Sequence, residues 1–398
     1  MRSQKPCSTS NQYAHEYTLH MSTHPLRIVH VIARMNVGGP AILISELING
    51  LQDKNFQSFL ITGYCQENEI DFLQANKMQV SEIRIKGFGR SVSLLSDILA
   101  FFRLMKALRE IKPDIVHTHT AKAGVIGRLT ALIAVPRAKR IHTFHGHLLH
   151  GYFSNFKTQI LILIEKLLAK ITDQILTIGN QVRIDLLNAG IGVESKMRFV
   201  FPGIRVKSTI SRKEIRSSLG ISDEKLILIF VGRLTQIKRP DRLIKAFRLA
   251  SNSVSNMTLL IVGDGDLREI SEKLATGLDV RFLGWRTDVY DLMNASDIAI
   301  LTSDNEGMPI TLIEAAHLGL PAISTDVGSV SDVVIHSKTG FLTSLDELEI
   351  AERIKVLAGS SLIRKEFGTA AKSIATSKFS VENMVAEHKK IYFSLIDK

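Results

Sequence analysis

From Leu26 onward, unbroken runs of apolar, often β-branched residues alternate with stretches whose apolar residues recur every three to four positions. The runs are short: LRIVHVIA (26–33), SFLITGY (58–64), DIVHTH (114–119), RIHTFHG (140–146) and DQILTIG (173–179). Runs of this kind suit strands buried on both faces, as parallel sheets require. Between them lie AILISELINGL after the loop RMNVGGP, SLLSDILAFFRLMKALREI (93–111), AGVIGRLTALIA and FKTQILILIEKLLAKI (156–171), all with helical spacing. Pro113 breaks the second of these helices. After VFPGIRV (200–206) the alternation restarts. Its strand candidates are LILIFVGRL (226–234), MTLLIVGDG (257–265), DVRFLGW (279–285), DIAILTS (297–303) and PAISTD (321–326). Helical patterns such as RPDRLIKAFRLA and ELEIAERIKVLAG lie between or after them. Repeated strand–helix alternation predicts βαβ units and, twice over, a doubly wound parallel sheet.

At 398 residues the chain is too long for one ordinary core and is expected to form two α/β domains. The boundary falls near 200–215, giving an N-terminal domain over 25–205 and a C-terminal domain over 206–398 whose last helix can return to the first. Ligands of open α/β sheets bind beyond the carboxyl ends of the strands, so two facing domains make a cleft walled by loops of both. Residues 1–24 lack the apolar core of a secretory signal and read as a disordered extension, with Met21 an alternative start. The longest apolar run, Ile160–Ile164, is far short of the roughly 20 residues of a membrane span. Cys7 and Cys65 are too few for a disulfide framework or a thiolate metal site, which favours a reducing compartment. A cytoplasmic chain is expected, at most peripheral on the inner face of the plasma membrane.

Charge changes this picture. The formal net charge of +11 lies wholly in residues 1–205, with 25 Lys and Arg against 14 Asp and Glu; residues 206–398 balance at 25 against 25. The first half is therefore expected to meet something anionic: nucleic acid, an anionic membrane or a phosphorylated lipid. Long basic faces around Arg103, Lys106, Arg109, Lys157, Lys166 and Lys170 favour a membrane leaflet. With 6% aromatic residues and one Trp, the chain lacks the stacking platforms of a single-strand nucleic-acid binder.

Chemistry gathers in five segments. VGRLTQIKRPD (231–241) leaves a strand, turns on Gly232 and presents Arg233 and Lys238 before a helix near Pro240, a cationic site suited to a diphosphate. VGDGDLREI (262–270) offers a second glycine turn through Gly263 and Gly265. Arg268 stands where a dinucleotide fingerprint needs glycine, which disfavours a nicotinamide cofactor. Asp264 and Asp266 suit turn positions better than a metal-bound donor. NVGGP (36–40) is the equivalent loop of the first domain, where Gly38 and Gly39 permit close backbone approach. HTFHGHLLHGYF (142–153) sets four histidines after a strand, with no Cys or acid nearby to complete a zinc site; His145, followed by Gly146, is placed at the active centre. Finally, EGMPITLIE sets Glu306 and Glu314 eight positions apart, the first on a constrained loop and the second inside a helix. Glu306 either faces a ligand or caps the helix near Pro309.

In this order, Gly38-Gly39, His145, VGRLTQIKRPD, VGDGDL, FLGWRTDV and the Glu-x7-Glu segment resemble glycosyltransferase family 4, over about residues 26–345. HTHTAKAGVIGRLTA and HTFHGHLLHGYF are similar to its bacterial surface-polysaccharide and lipid-linked glycan branch. FPGI (201–204) replaces an NGID-type segment, and Met308 stands where many members carry Phe or Leu. The resemblance implies the GT-B fold, two Rossmann-like domains facing a cleft. It also implies retaining transfer from a nucleotide sugar, UDP favoured and GDP second, to a polyprenyl-diphosphate-linked or glycan acceptor. Glu306 would then bond hydroxyls of the transferred sugar, helped by the backbone of Gly307, Met308, Pro309 and Ile310. Glu314 would accept from both ribose hydroxyls, Trp285 and Arg286 would border the base, and Arg233 and Lys238 would neutralise the departing diphosphate. No metal or other cofactor is expected, because the two cations fill that electrostatic role. No carboxylate stands out as a nucleophile for double displacement, so front-face attack is favoured. The alternatives are a nucleotide-sugar epimerase of the same fold and a basic nucleic-acid-binding protein. A phosphorylase would need a pyridoxal-binding lysine that no motif announces.

Overall fold

A computed structural model describes residues 24–67, 69–75, 80–89, 93–146 and 155–396. The expected extension, apart from His24, lies outside these residues, as do His147 and His150. The first sheet contains β1 (Leu26–Ile32), β2 (Phe56–Thr62), β3 (Glu82–Arg84), β4 (Ile115–His119), β5 (Lys139–Phe144), β6 (Gln174–Thr177) and β7 (Met197–Phe199). It is parallel throughout in the order β3-β2-β1-β4-β5-β6-β7. Its helices are α1 (Gly39–Gly50), α2 (Phe72–Ala75), α3 (Leu94–Ile111), α4 (Ala121–Ala134), α5 (Asn155–Lys170) and α6 (Asn180–Asn188).

The second sheet contains β8 (Leu226–Val231), β9 (Met257–Val262), β10 (Val280–Gly284), β11 (Ile298–Leu301), β12 (Ala322–Thr325) and β13 (Gly340–Thr343). Its order is β10-β9-β8-β11-β12-β13, again parallel. The remaining helices are α7 (Arg212–Ser218), α8 (Pro240–Ser251), α9 (Arg268–Leu274), α10 (Val289–Asn294), α11 (Ile310–His317), α12 (Glu347–Gly359), α13 (Ser361–Lys378) and α14 (Val381–Ile396). In each sheet the order reverses beside the first strand, between β1 and β4 and between β8 and β11. The crevices beyond those carboxyl ends are where such sheets place ligands.

The hydrophobic pattern explains the layers. On β1, Ile28, His30 and Ile32 face α1 and α14, whereas Val29 and Val31 face α3 and α4. β8 and β9 are buried almost throughout, as their unbroken apolar sequences require. A buried ion pair joins α4 to α5: Arg128 Nη2 donates to both oxygens of Glu165 at 2.8 and 2.7 Å. Helix α14 packs on α1, and Lys389 of α14 pairs with Asp53 at 2.6 Å. The two passages between the domains run together: Ile204 N donates to Phe379 O at 3.0 Å, and a Cβ on Gly203 would lie 2.5 Å from Ser380 O.

Candidate active site

The loop after β8 ends in a 3-10 turn, Gln236–Lys238. The loop after β11, residues 302–309, carries Glu306. These loops meet at the switch point of the second sheet. Lys238 Nζ donates to Glu306 Oε1 at 2.5 Å, and Ser303 Oγ donates to the same oxygen at 2.5 Å. Asp304 braces the junction through Arg242 Nη1 at 2.7 Å and Arg239 Nη1 at 3.3 Å. Glu306 is buried and does not cap α11, whose N-terminus has no side-chain cap; the capping alternative is thereby overturned.

Glu314 lies one turn into α11, buried, with Tyr290 Oη donating to its Oε1 at 3.2 Å. Burial raises its carboxyl from 4.5 to about 7, and the Tyr290 hydrogen bond opposes part of that rise. The carboxyl can accept more hydrogen bonds when charged than this one hydroxyl supplies.

Arg233 is exposed and makes no ion pair among the described residues, so it is free to meet an anion. Gly263 and Gly265 have a packing reason to be glycine. A Cβ on Gly263 would lie 2.1 Å from Gly232 O, and one on Gly265 2.5 Å from Leu234 O. Their loop is zipped to that of Arg233 by Leu234 N to Asp264 O and Leu267 N to Leu234 O, each 3.0 Å. Asp264 is a turn residue, accepting from Gly265 N at 2.7 Å and from Arg268 at 2.9 Å. Trp285 and Arg286 follow β10 on the exposed rim, with Arg286 held by Asp288 at 2.6 Å. Among the described residues, neither is hydrogen-bonded or ion-paired to Glu306 or Glu314.

The first domain closes on the same segment. A Cβ on Gly39 would lie 2.9 Å from Ile310, and one on Gly307 would lie 2.4 Å from Gly146 and 3.1 Å from His145 O. Gly179, before α6, is as tight: a Cβ there would meet Ser329 Oγ at 2.2 Å and Gly307 O at 2.7 Å. Asn180 N donates to Asp332 across the same boundary at 3.0 Å. Gly38 precedes α1 without a close neighbour across the cleft, while Met308 and Pro309 are buried residues of the loop after β11.

His145, itself half-buried, ends a layer of buried histidines on the α1 and α14 side of the first sheet. Its Nε2 hydrogen-bonds His119 Nδ1 at 3.0 Å, and His119 Nε2 hydrogen-bonds His30 Nδ1 at 3.2 Å. His117 engages Tyr392 Oη at 2.8 Å and Thr143 Oγ1 at 2.7 Å. Burial holds His30 and His145 down to about 3 and His388 to about 4, so all three are neutral. His30, His117 and His119 are also the one group among the described residues whose ligand atoms, within 4.8 Å of one another, suit a metal ion. Behind them, between α1 and α14, lies a cavity of about 20 Å³, too small for a nucleotide.

Ser303, Tyr290, Gly179 and Ser329 escape the sequence reading. Ser303 ends the strand candidate DIAILTS, where the hydroxyl three residues before Glu306 was a usable signal. Tyr290 and Ser329 belong to no motif and are recruited only by tertiary packing.

Comparison with known proteins accounts for the arrangement. The sequence profile "Glycosyltransferase Family 4" matches residues 37–208, and "Glycosyl transferases group 1" matches residues 211–374. The chain is 26% identical over 395 residues to the Escherichia coli UDP-Gal:alpha-D-GlcNAc-diphosphoundecaprenol alpha-1,3-galactosyltransferase, covering 94% of this chain and 99% of that one. It is 25% identical over 353 residues to the Staphylococcus aureus capsular polysaccharide biosynthesis glycosyltransferase CapM, covering 81% and 92%. In structure it is similar to Anabaena HepE, solved with UDP and glucose, with a TM-score of 0.78 at 20% identity over 93% of this chain and all of that one. The facing parallel sheets are the GT-B fold. With one profile on each domain and relatives matching end to end, the chain belongs to glycosyltransferase family 4.

Proposed function

We propose that this glycosyltransferase moves a sugar, with retention of configuration, from a UDP-sugar to a lipid-linked or polysaccharide acceptor in bacterial surface-glycan synthesis. The observation that carries the reading is the Lys238–Glu306 pair at the second switch point, eight residues before the buried Glu314 and closed over by Gly39 and Gly146. The pair is a ligand-free arrangement of two groups with separate tasks. With donor present, Lys238 and the exposed Arg233 face the diphosphate, where charge grows as it leaves. Glu306 is then released to hold sugar hydroxyls, and ionised Glu314 takes the ribose hydroxyls. Front-face attack needs only this leaving-group stabilisation and a positioned acceptor, with a donor phosphate oxygen taking the acceptor's proton. The cations fill the electrostatic role of a divalent metal, so none is invoked. The E. coli relative's diphosphoundecaprenol acceptor and HepE's UDP support these substrate classes.

The anionic partner expected of the first domain is assigned to a membrane surface. No helix among the described residues is long and apolar enough to cross a membrane. Helices α3, α4 and α5 lie side by side, and their outer faces expose Leu94, Leu95, Ile98, Leu99 and Phe102, then Leu132 and Ile133, then Phe156, Leu163 and Leu167. Leu94 is 78% exposed and Phe156 75%. The exposed cations anticipated on α3 and α5 lie among these apolar residues, so the face is amphipathic rather than simply basic. Such a face seats the first domain on an anionic leaflet that presents a lipid acceptor.

The test is transfer from labelled UDP- and GDP-sugars to a polyprenyl-diphosphate-linked acceptor, with anomeric configuration read by NMR. Acceptor-dependent, retained product from UDP-sugar is expected. Donor conversion without acceptor would replace the reading with an epimerase, and inverted product would exclude the front-face route.

A further inference from the structure

Two hydrogen bonds end on one oxygen of Glu306, and their donors are built differently. Lys238 reaches Oε1 from a 3-10 turn on a long flexible stem, with 24% of its side chain exposed. Ser303 reaches the same oxygen from a single Cβ and is fully buried. An ammonium on such a stem can turn to another anion, whereas a serine hydroxyl moves only about χ1, here within a packed surround.

The frame around Ser303 is pinned at several points. Its carbonyl accepts from Thr325 Oγ1, at the end of β12, at 2.6 Å. Asp304 N donates to Ile237 O at 2.8 Å, which ties the segment to the turn carrying Lys238. Ser329 N donates to Glu306 O at 3.2 Å. The backbone thus fixes both ends of the Ser303–Glu306 bond.

These bonds leave the carboxylate one-sided. Among the described residues, both hydrogen bonds of the Glu306 side chain fall on Oε1 and none on Oε2. A carboxylate has about four lone-pair sites, so Oε2 keeps its capacity to accept. We infer that Ser303 is a positioning residue for Glu306: it holds Oε1 when a bound diphosphate draws Lys238 away, and so presents Oε2 to hydroxyls of the transferred sugar. This rests on the glycosyltransferase reading for what Oε2 meets. Without Ser303, the carboxylate loses its fixed partner at the moment Lys238 leaves. It then either turns freely or pulls Lys238 back from the diphosphate. Both cost orientation in the step where sugar and leaving group must be held together.

The test has a structural and a kinetic arm. In a crystal structure of the full ligand-free chain carrying Lys238→Ala, Glu306 Oε1 is expected to stay within about 3 Å of Ser303 Oγ. A carboxylate turned away from Ser303 would show that Lys238 alone holds it, and overturns the inference. Kinetically, Ser303→Ala is expected to lower kcat/KM for the nucleotide sugar at least about tenfold at unchanged Tm. Its Kd for free UDP, which carries no sugar, is expected to stay within about threefold of the native value. In a Glu306→Ala background the same substitution is expected to change kcat/KM by less than about twofold, because Ser303 acts through that carboxylate. Native activity in Ser303→Ala, or a loss that adds in full to that of Glu306→Ala, overturns the positioning role. A Glu306 that stays on Ser303 in the Lys238→Ala chain, in a protein that transfers sugar from no nucleotide donor, would overturn the proposed function while supporting Ser303 as the fixed partner.

Discussion

Glu314 makes nucleoside binding depend on pH in a calculable way. Its carboxyl is raised to about 7 chiefly by burial. If ribose hydroxyls bind the ionised form, affinity should rise as pH climbs through that value, by about an order of magnitude between pH 6 and 8. Uridine is the appropriate probe, because the phosphates of UDP titrate in the same window. Calorimetry in buffers of different ionisation enthalpy should show release of about half a proton per uridine bound at pH 7. Glu314→Gln should abolish the slope and weaken binding by roughly 10-fold or more, from loss of charge-assisted bonds of about 1.5–3 kcal/mol. Tyr290→Phe removes the hydroxyl that opposes the rise, and should move the midpoint upward. Stability follows the same titration with the opposite sign. A carboxyl whose folded value exceeds its unfolded one destabilises the fold once ionised, so the ligand-free chain should lose about 3 kcal/mol as pH rises from 4.5 to about 7, relative to Glu314→Gln. Uridine affinity that is flat between pH 6 and 8, or equally steep in Glu314→Gln, would refute the reasoning.

Four further outcomes are expected. Glu306→Ala frees Lys238, so affinity for UDP should stay level or tighten while kcat/KM falls by about two to three orders of magnitude; a parallel loss of UDP binding would dissolve the division between the two glutamates. Glu165→Ala strands the buried Arg128 and should cost roughly 3–5 kcal/mol in urea unfolding, whereas the apolar pair Arg128→Met with Glu165→Leu should recover most of it. Phe102→Glu with Leu163→Glu should reduce binding to anionic vesicles at least tenfold without changing turnover of a water-soluble acceptor, and vesicle binding unaffected by these charges would move the docking face elsewhere. Transfer should persist in excess EDTA; activity lost on chelation and restored by Mg²⁺ or Mn²⁺ would reinstate a metal in the reaction.

Legibility in the sequence followed burial and locality. LILIFV and MTLLIV announced β8 and β9 because strands buried on both faces admit little except apolar residues. β3 and β7, each three residues, and β13, four, are too short to show a period, and Glu82 and Arg84 of β3 make salt bridges at the sheet edge. The strand candidate RIHTFHG ran past β5, which ends at Phe144; His145 and Gly146 are instead the loop that meets Gly307. Lys238 and Glu306 were each marked for a ligand, yet their bond to one another was not foreseen, since 68 residues separate them. Gly263 and Gly265 stood out as a glycine turn, and the structure supplies the packing reason, the carbonyls of Gly232 and Leu234 lying where a Cβ would go. Tyr290 and the hydrogen bonds among the buried histidines depend on tertiary neighbours and leave no local pattern.

The return of α14 to the first domain has a consequence for how the chain is made. Tyr392 closes the histidine layer through His117, a partner 275 residues earlier. Synthesis proceeds from the N-terminus, and domains ordinarily fold as they emerge. Here the first sheet leaves the ribosome without the helix that covers one of its faces, and must wait for the entire second domain to be translated before receiving it. The first domain is therefore the last to be finished. Nascent chains arrested before Val381 should be cleaved readily by protease within residues 26–199, and those arrested beyond Ile396 and outside the exit tunnel should resist.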